Sequence, residues 1–203
     1  MSLPRRERDR LQRRSDIFHA AERVFAEKGF HGASIEEIAR AAEYGTGTVY
    51  LYFRDKETLY VELFEEKIRE LLEFVTGRVD EETEPWEALR RFIHARMEYF
   101  DRNRPFFKMY TRERMDWGWT KEGKWAGAYK LYESYIHLLT RLIQAAQRRG
   151  RIRKGDSRQF AIALSGMMMQ LTRDWLRHES HRPLMEQADF VADLFLQGAQ
   201  QGR

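Results

Sequence analysis

Cysteine is absent from the 203 residues. That removes any disulfide framework, any thiolate nucleophile and any cysteine-ligated zinc, and it fits a reducing compartment. Proline is scarce, with four in the chain, so few positions interrupt a helix. No stretch approaches the ~20 apolar residues that span a bilayer. The longest mainly apolar run near the end, Phe160–Leu171, is shorter and carries polar breaks. The first residues hold no apolar signal core, so a cytoplasmic location and no membrane are expected. The six histidines are scattered. His178 and His181 are three apart, but Ser180 and Pro183 break the helix there. Neither HExxH nor a nucleophile elbow occurs, and the GTGT of Gly45–Thr48 does not follow a strand. Carboxylate pairs such as Glu36/Glu37, Glu65/Glu66 and Glu81/Glu82 read as solvated helix surface. No catalytic residue, cofactor or metal is therefore expected, and the chain is not read as an enzyme.

What remains is helical and aromatic. Thirteen Phe, nine Tyr and five Trp favour a folded protein over a disordered one. The length suits one large domain, or a small one fused to a larger one. The net charge of +4 says little by itself, but its distribution is uneven. The arm 4–14 holds Arg5, Arg6, Arg8, Arg10, Arg13 and Arg14 against Glu7 and Asp9. Such an arm attracts phosphate backbones; it reads equally as a solvated, frayed helix start.

Helical spacing of Ile17, Ala20, Ala21, Val24 and Phe25 predicts a helix over 10–28, with Gly29 as its C-cap. Ser34 followed by Glu37 is a capping box that opens a short helix with Ile35, Ile38, Ala39 and Ala42 inward. A second short helix over 46–53 puts Val49 and Phe53 on one face. Thr46, Thr48, Tyr50 and Tyr52 cannot all share that face, so several point outward. A longer helix then runs from 54 or 55 to about 76 through Leu59, Leu63, Ile68, Leu71 and Leu72.

This is the pattern of a helix-turn-helix within a three-helix head. Its second short helix enters a major groove N-terminus first. Gly45 and Gly47 let backbone approach a duplex closely, and the hydroxyls of Thr46 and Thr48 can reach phosphates or base edges. Tyrosines join an apolar body to a phosphate-bonding hydroxyl, and Lys56 adds a charge for the backbone. The alternative is a tight turn leading into an ordinary core helix.

Residues 14–63 resemble the DNA-binding domain of TetR-family transcriptional regulators. The resemblance is carried by Phe25, Gly29, Phe30, Ala33, Ser34, Ile35, Ile38, Ala39, Ala42, Gly47, Thr48, Val49, Tyr50, Tyr52, Phe53, Lys56, Glu57 and Leu59, about a quarter of the chain. It implies that Thr46, Gly47, Thr48 and Tyr50 touch bases and nearby phosphates. It implies that Tyr52 and Lys56 touch phosphates, and that Phe25, Ile38, Val49 and Phe53 form core. Ser34 and Gly45 complete the DNA-binding set. Two positions depart from the family pattern. Glu43 stands where a turn glycine is usual, so either the turn is strained or its geometry has shifted toward Gly45. Gly45 replaces a capping serine, which is a tolerable cap that lacks a hydroxyl. Glu36 either reads a cytosine amino group or is a solvated glutamate in the first turn.

From about 85 the chain changes character. Pro85 opens a helix with Trp86, Leu89, Ile93, Met97 and Phe100 inward. Another restarts at Pro105, and a long one is expected over 121–149. Aromatic residues and methionines on successive helices line an apolar pocket or are simply core. The resemblance implies a small-molecule effector here. The candidates are Phe92, His94, Arg96, Met97, Phe106, Tyr110, Trp117, Trp125, Tyr129 and Tyr132. An apolar or aromatic effector is expected, with a polar group met by His94, Arg96 or Tyr132.

Two terminal helices follow, with Met167, Leu171 and Trp175 on one and Phe190, Val191, Leu194 and Phe195 on the other. The resemblance implies that they pair with their copies as a four-helix bundle in a homodimer; packing within the chain is the alternative. A two-fold dimer matches a palindromic operator in double-stranded DNA. The expected architecture is all-α, about nine helices, with a head over 1–54 and an effector-binding and dimerisation domain over 55–203. The function expected is that of a ligand-responsive regulator, a repressor released by its effector. The alternatives are a constitutive DNA-binding protein and, less well supported, a helical enzyme.

Overall fold

A computed structural model describes residues 4–79, 84–112, 122–178 and 182–199. Among these residues there are nine α-helices, one 3-10 turn and no strand. Trp117, Glu81, Glu82, Ser180 and His181 lie outside the described residues. No described helix is long and apolar enough to cross a membrane.

Helix α1 spans Arg5–Gly32, longer at both ends than the spacing predicts. The basic arm is therefore helical from Arg5 onward. Gly29 has φ 74°, a left-handed geometry that costs glycine little, and the Ala33 amide donates to the Gly29 carbonyl. Helix α2 (Ile35–Ala41) begins at the capping box: Ser34 Oγ accepts from the Glu37 amide and the Glu37 carboxylate accepts from the Ser34 amide. Helix α3 is Thr46–Tyr52, and Phe53 is already extended. Helix α4 (Lys56–Thr76) starts at Asp55, whose carboxylate accepts from the Thr58 amide at 2.7 Å. Helix α5 is Pro85–Arg102, capped by Glu84, and α6 is Arg104–Arg112. Helix α7 begins at Ala126, later than the sequence suggests, and ends at Arg148. Asp156 caps α8 (Ser157–Arg177), and a 3-10 turn over Leu184–Gln187 leads into α9 (Ala188–Ala199).

The chain divides into two compact units. One is Met1–Glu66 with Pro105–Ala126; the other is Lys67–Arg104 with Gly127–Arg203. The division falls inside α4 rather than at residue 54, because the first turns of α4 bury against α1. Tyr60 is fully buried with its ring 5.1 Å from both Phe25 and Phe30.

In the first unit, Ile17, Phe18, Ala21 and Phe25 of α1 meet Ile35, Ile38, Val49, Phe53, Leu59 and Leu63, all buried. Each such side chain contributes about 1.5–3 kcal/mol on burial. Phe18 and Phe53 lie 5.2 Å apart and fix the end of α3 against α1. In the second unit, Phe92, Ile93 and Met97 of α5 are buried with Ile136, Leu139 and Ile143 of α7, Leu164 and Met168 of α8, and Val191 and Leu196 of α9.

Candidate nucleic-acid interface and effector-region residues

The turn between α2 and α3 settles the position of Glu43. Its φ is +60°, so the left-handed geometry is kept and a glutamate adopts it. Gly45 takes an ordinary extended conformation, φ −71° and ψ 147°, so the turn has not moved to it. The next residue anchors the turn: the Tyr44 hydroxyl donates to Asp16 Oδ2 on α1 at 2.7 Å. That bond, with another from Gln12, holds the Asp16 carboxyl below its ordinary range and lifts the Tyr44 phenol.

The tip of α3 faces outward. Val49 is fully buried; Thr46, Thr48 and Tyr52 are half-buried, and Gly47 is exposed. Tyr50 is 50 % exposed and Leu51 83 %. Leu51 was missed in the sequence, where a leucine between two tyrosines reads as core. A Cβ built on Gly45 or Gly47 meets nothing within 4 Å. Neither glycine is required by backbone angle or by packing inside the chain. The small size of this tip is explained only by something outside the chain.

Ser34 is half-buried, and its hydroxyl is engaged in the cap. Lys56 is engaged too. Its ammonium donates to the carbonyls of Phe30 and Ala33, each at 2.7 Å, and lies 4.7 Å from the centre of the Phe30 ring. It fastens the end of α1 and the start of α2 to α4, which leaves one ammonium proton for an outside acceptor. Arg14 pairs with Glu62 at 2.9 Å and lies over the Phe18 ring, tying α1 to α4 again.

The effector candidates fall into two groups. In the first unit, Phe64 of α4 gathers Phe106 at 5.8 Å, Tyr110 at 5.2 Å and Trp125 at 5.6 Å. Trp125 also stands edge-on to Tyr60 at 6.2 Å. A cleft of about 430 Å³ in this unit is lined by Arg54, Thr58, Val61, Glu62, Glu65 and Lys124, none of them an effector candidate. In the second unit, Phe92, Arg96 and Met97 are buried on α5, and Tyr129 and Tyr132 are half-buried on α7. The Arg96 guanidinium lies 4.1 Å from the Phe100 ring centre. Phe92 packs on Tyr135 at 5.5 Å. Burial pushes the Tyr135 phenol up, and the nearby Arg96 charge pulls it back. His94 faces α9 instead: its Nε2 is 3.0 Å from Asp189 Oδ1, beside the Arg90 guanidinium that bridges Asp189 and Asp193.

The terminal helices use their apolar residues in two directions. Trp175, Val191 and Phe195 pack inside the chain. The Trp175 indole donates to the Arg182 carbonyl at 2.8 Å, and Phe195 meets Phe160 edge-on at 6.4 Å. Met167 and Leu171 are half-buried. Phe190, Leu194 and Ile162 stay exposed at 58, 50 and 46 %. Phe190 and Leu194 share a stripe with Gly198, where a Cβ would meet nothing within 4 Å. Among the described residues no group of His, Cys, Asp and Glu could hold a metal.

Comparison with known proteins bears on these surfaces. A family model described as bacterial regulatory proteins of the tetR family matches residues 17–63. A second, described as the C-terminal domain of tetracyclin-repressor-like proteins, matches residues 82–199. The fatty acid metabolism regulator protein of Bacillus subtilis is 24 % identical over 185 residues, covering 90 % of this chain and 93 % of that protein. The fatty acid degradation regulator FadR of Bacillus halodurans superposes with a TM-score of 0.80 at 24 % identity, covering 91 % of this chain and 98 % of that one. The transcriptional regulator FadR of Bacillus subtilis, in complex with stearoyl-CoA, also gives 0.80, at 22 % identity and the same coverage.

Proposed function

The chain belongs to the TetR family of ligand-responsive, DNA-binding transcriptional regulators, and we propose that it acts as a homodimeric repressor, released from a palindromic operator by an apolar effector of the fatty-acyl class. The observation that carries the DNA-binding assignment is the α3 tip. Gly45 and Gly47 leave open space that the chain itself does not use, beside exposed Tyr50 and Leu51. In this reading Thr46, Gly47, Thr48, Tyr50 and Leu51 meet base edges and adjoining phosphates, with Leu51 suited to a thymine methyl. Gly45 gives clearance and Tyr52 bonds phosphate. Ser34 and Lys56 act chiefly by holding α2 and α4 in place.

The homodimer rests on the outer stripe of Phe190, Leu194 and Gly198 with Ile162. An exposed glycine inside a helix costs about 0.5–1 kcal/mol relative to alanine, which a closely approaching partner helix explains. The fatty-acyl class rests on similarity to the Bacillus subtilis regulator across most of both chains and on the buried aromatic and methionine residues. Helix α4 contributes to both compact units. An effector that leans on Phe64 or its neighbours therefore acts on the helix that bears Lys56, Leu59 and Tyr60. It shifts the operator-binding population only through its differential affinity for the two states. Repression follows from steric exclusion of polymerase. The protein works by binding, without catalysis, in the cytoplasm.

The test is fluorescence anisotropy on a labelled operator duplex obtained by selection from random DNA. The proposed reading expects release on addition of a long-chain acyl ligand. Operator binding that no apolar ligand alters would establish a constitutive binder instead.

A further inference from the structure

The segment joining α7 to α8 is strongly cationic and serves neither the DNA tip nor the outer stripe. Over 147–158 it carries Arg148, Arg149, Arg151, Arg153, Lys154 and Arg158, with Asp156 its one acid. Asp156 is occupied as the α8 cap, accepting from the Arg158 and Gln159 amides.

The segment is held in one shape. Gly150, with φ 69°, reverses the chain, and the Arg151 amide returns to the Ala146 carbonyl at 2.9 Å. Ile152 is fully buried, and the Arg153 amide donates to the Ala199 carbonyl at 2.8 Å. The Gln147 side-chain amide donates to the carbonyls of Arg153 and Gly155, and its oxygen accepts from the Ser157 hydroxyl at 2.6 Å. Like charges on a pinned turn repel one another, and a merely solvated linker would relax instead of holding them together.

Two of the cations are used internally. Arg151 pairs with Glu84 at 3.2 Å and Arg158 with Glu133 at 2.8 Å. Arg148, Arg149 and Lys154 are exposed, with no carboxylate within 4.0 Å among the described residues. Several outward cations on one rigid turn match clustered phosphates better than a single carboxylate. The segment's one large apolar side chain, Ile152, points inward, so no wedge is offered to a bilayer. The segment also adjoins effector-region residues: Arg158 is near enough to Tyr132 and Tyr129 for their electrostatics to couple.

We propose that the turn of Arg148, Arg149 and Lys154 is a phosphate dock for the nucleotide carrier of the effector. It takes the phosphates of an acyl-CoA thioester while the acyl chain enters among the aromatic residues. This rests on the fatty-acyl reading above and sharpens it, because the carrier-bound form becomes the signal rather than the free acid.

The test is isothermal titration of palmitoyl-CoA and of palmitate into the full-length protein and its R148Q/R149Q/K154Q variant, whose replaced side chains make no internal bonds. The variant is expected to lose about tenfold or more in palmitoyl-CoA affinity at low salt, as removal of three partly screened ion pairs implies. Palmitate and operator affinity stay unchanged, and the wild-type preference for the thioester shrinks as salt rises. Equal palmitoyl-CoA affinity in the two proteins overturns the dock, as does an equal loss for both ligands. A wild type that binds palmitate and palmitoyl-CoA alike removes the dock but leaves the fatty-acyl reading standing. A wild type that binds neither removes both. Loss of binding to phosphatidylglycerol vesicles with palmitoyl-CoA affinity retained assigns the turn to a membrane surface and overturns the proposal.

Discussion

Replacing Gly47 by alanine separates folding from DNA recognition, because the two should respond with opposite sign. Gly47 lies in the first turn of α3, and a Cβ there meets nothing within 4 Å. Alanine in a helix is favoured over glycine by about 0.5–1 kcal/mol, so the variant should be slightly more stable. For a chain of this size that raises the melting temperature by about 1–4 °C. The same methyl group stands on the surface that approaches the duplex. It pushes the α3 backbone outward and costs at least one contact, worth about 1–3 kcal/mol, or roughly tenfold to a hundredfold in Kd. Thermal melting by circular dichroism reads the first effect, and anisotropy titration of the selected operator at fixed salt reads the second. A variant that melts higher and binds the operator as tightly as wild type would refute close approach at this tip. One that melts lower would refute the claim that the chain itself leaves the glycine unused.

Other perturbations follow from the same geometry. Lys56→Met deprives the Phe30 and Ala33 carbonyls of their donor and should destabilise the fold by about 1–3 kcal/mol, read as a lower urea midpoint at unchanged slope. The Asp55 carboxyl is held at about 2, against an ordinary 3.8, first by the Thr58 amide and then by its hydroxyl. Its folded value lies below its unfolded one, so its stabilisation is present above the unfolded value and lost as pH falls through the folded one. Asp55→Ala should cost about 0.5–2 kcal/mol at neutral pH, a gap that closes as urea titrations are repeated from about pH 5 down to pH 2. Exchanging both Phe190 and Leu194 for serine should give a monomer in sedimentation velocity with helical content intact, since both side chains are exposed in the single chain.

The head was legible because its signals are local. The Ser34–Glu37 box, the four-residue step from Val49 to Phe53 and the glycines of the α3 tip all act within one or two helical turns. Interactions across the fold were not. Lys56 carries a charge and so suggests phosphate, but the carbonyls that hold it lie 26 and 23 residues back. Tyr44 is tied to Asp16 across 28 residues, which is how a turn with a glutamate at positive φ stays anchored. Leu51 was hidden because an apolar residue type suggests an inward direction, and only the phase of α3 decides otherwise. In the larger half, composition announced aromatic helices without sorting them. Phe106, Tyr110 and Trp125 gather on Phe64, whereas Phe92, Arg96 and Met97 belong to the other unit. On α9, Val191 and Phe195 turn inward while Phe190 and Leu194 turn out. Periodicity shows that a helix has an apolar stripe; it does not show which edge faces a neighbour in the same chain.

The most direct measurement is selection of duplexes from a random pool by wild-type protein and by Tyr50→Ala, followed by sequencing. The account predicts that the wild type enriches an inverted repeat whose half-sites lie about one helical turn apart or slightly more, and that the variant, still folded, enriches none. A wild type that enriches no sequence, or a variant that enriches the same repeat as strongly, would contradict it.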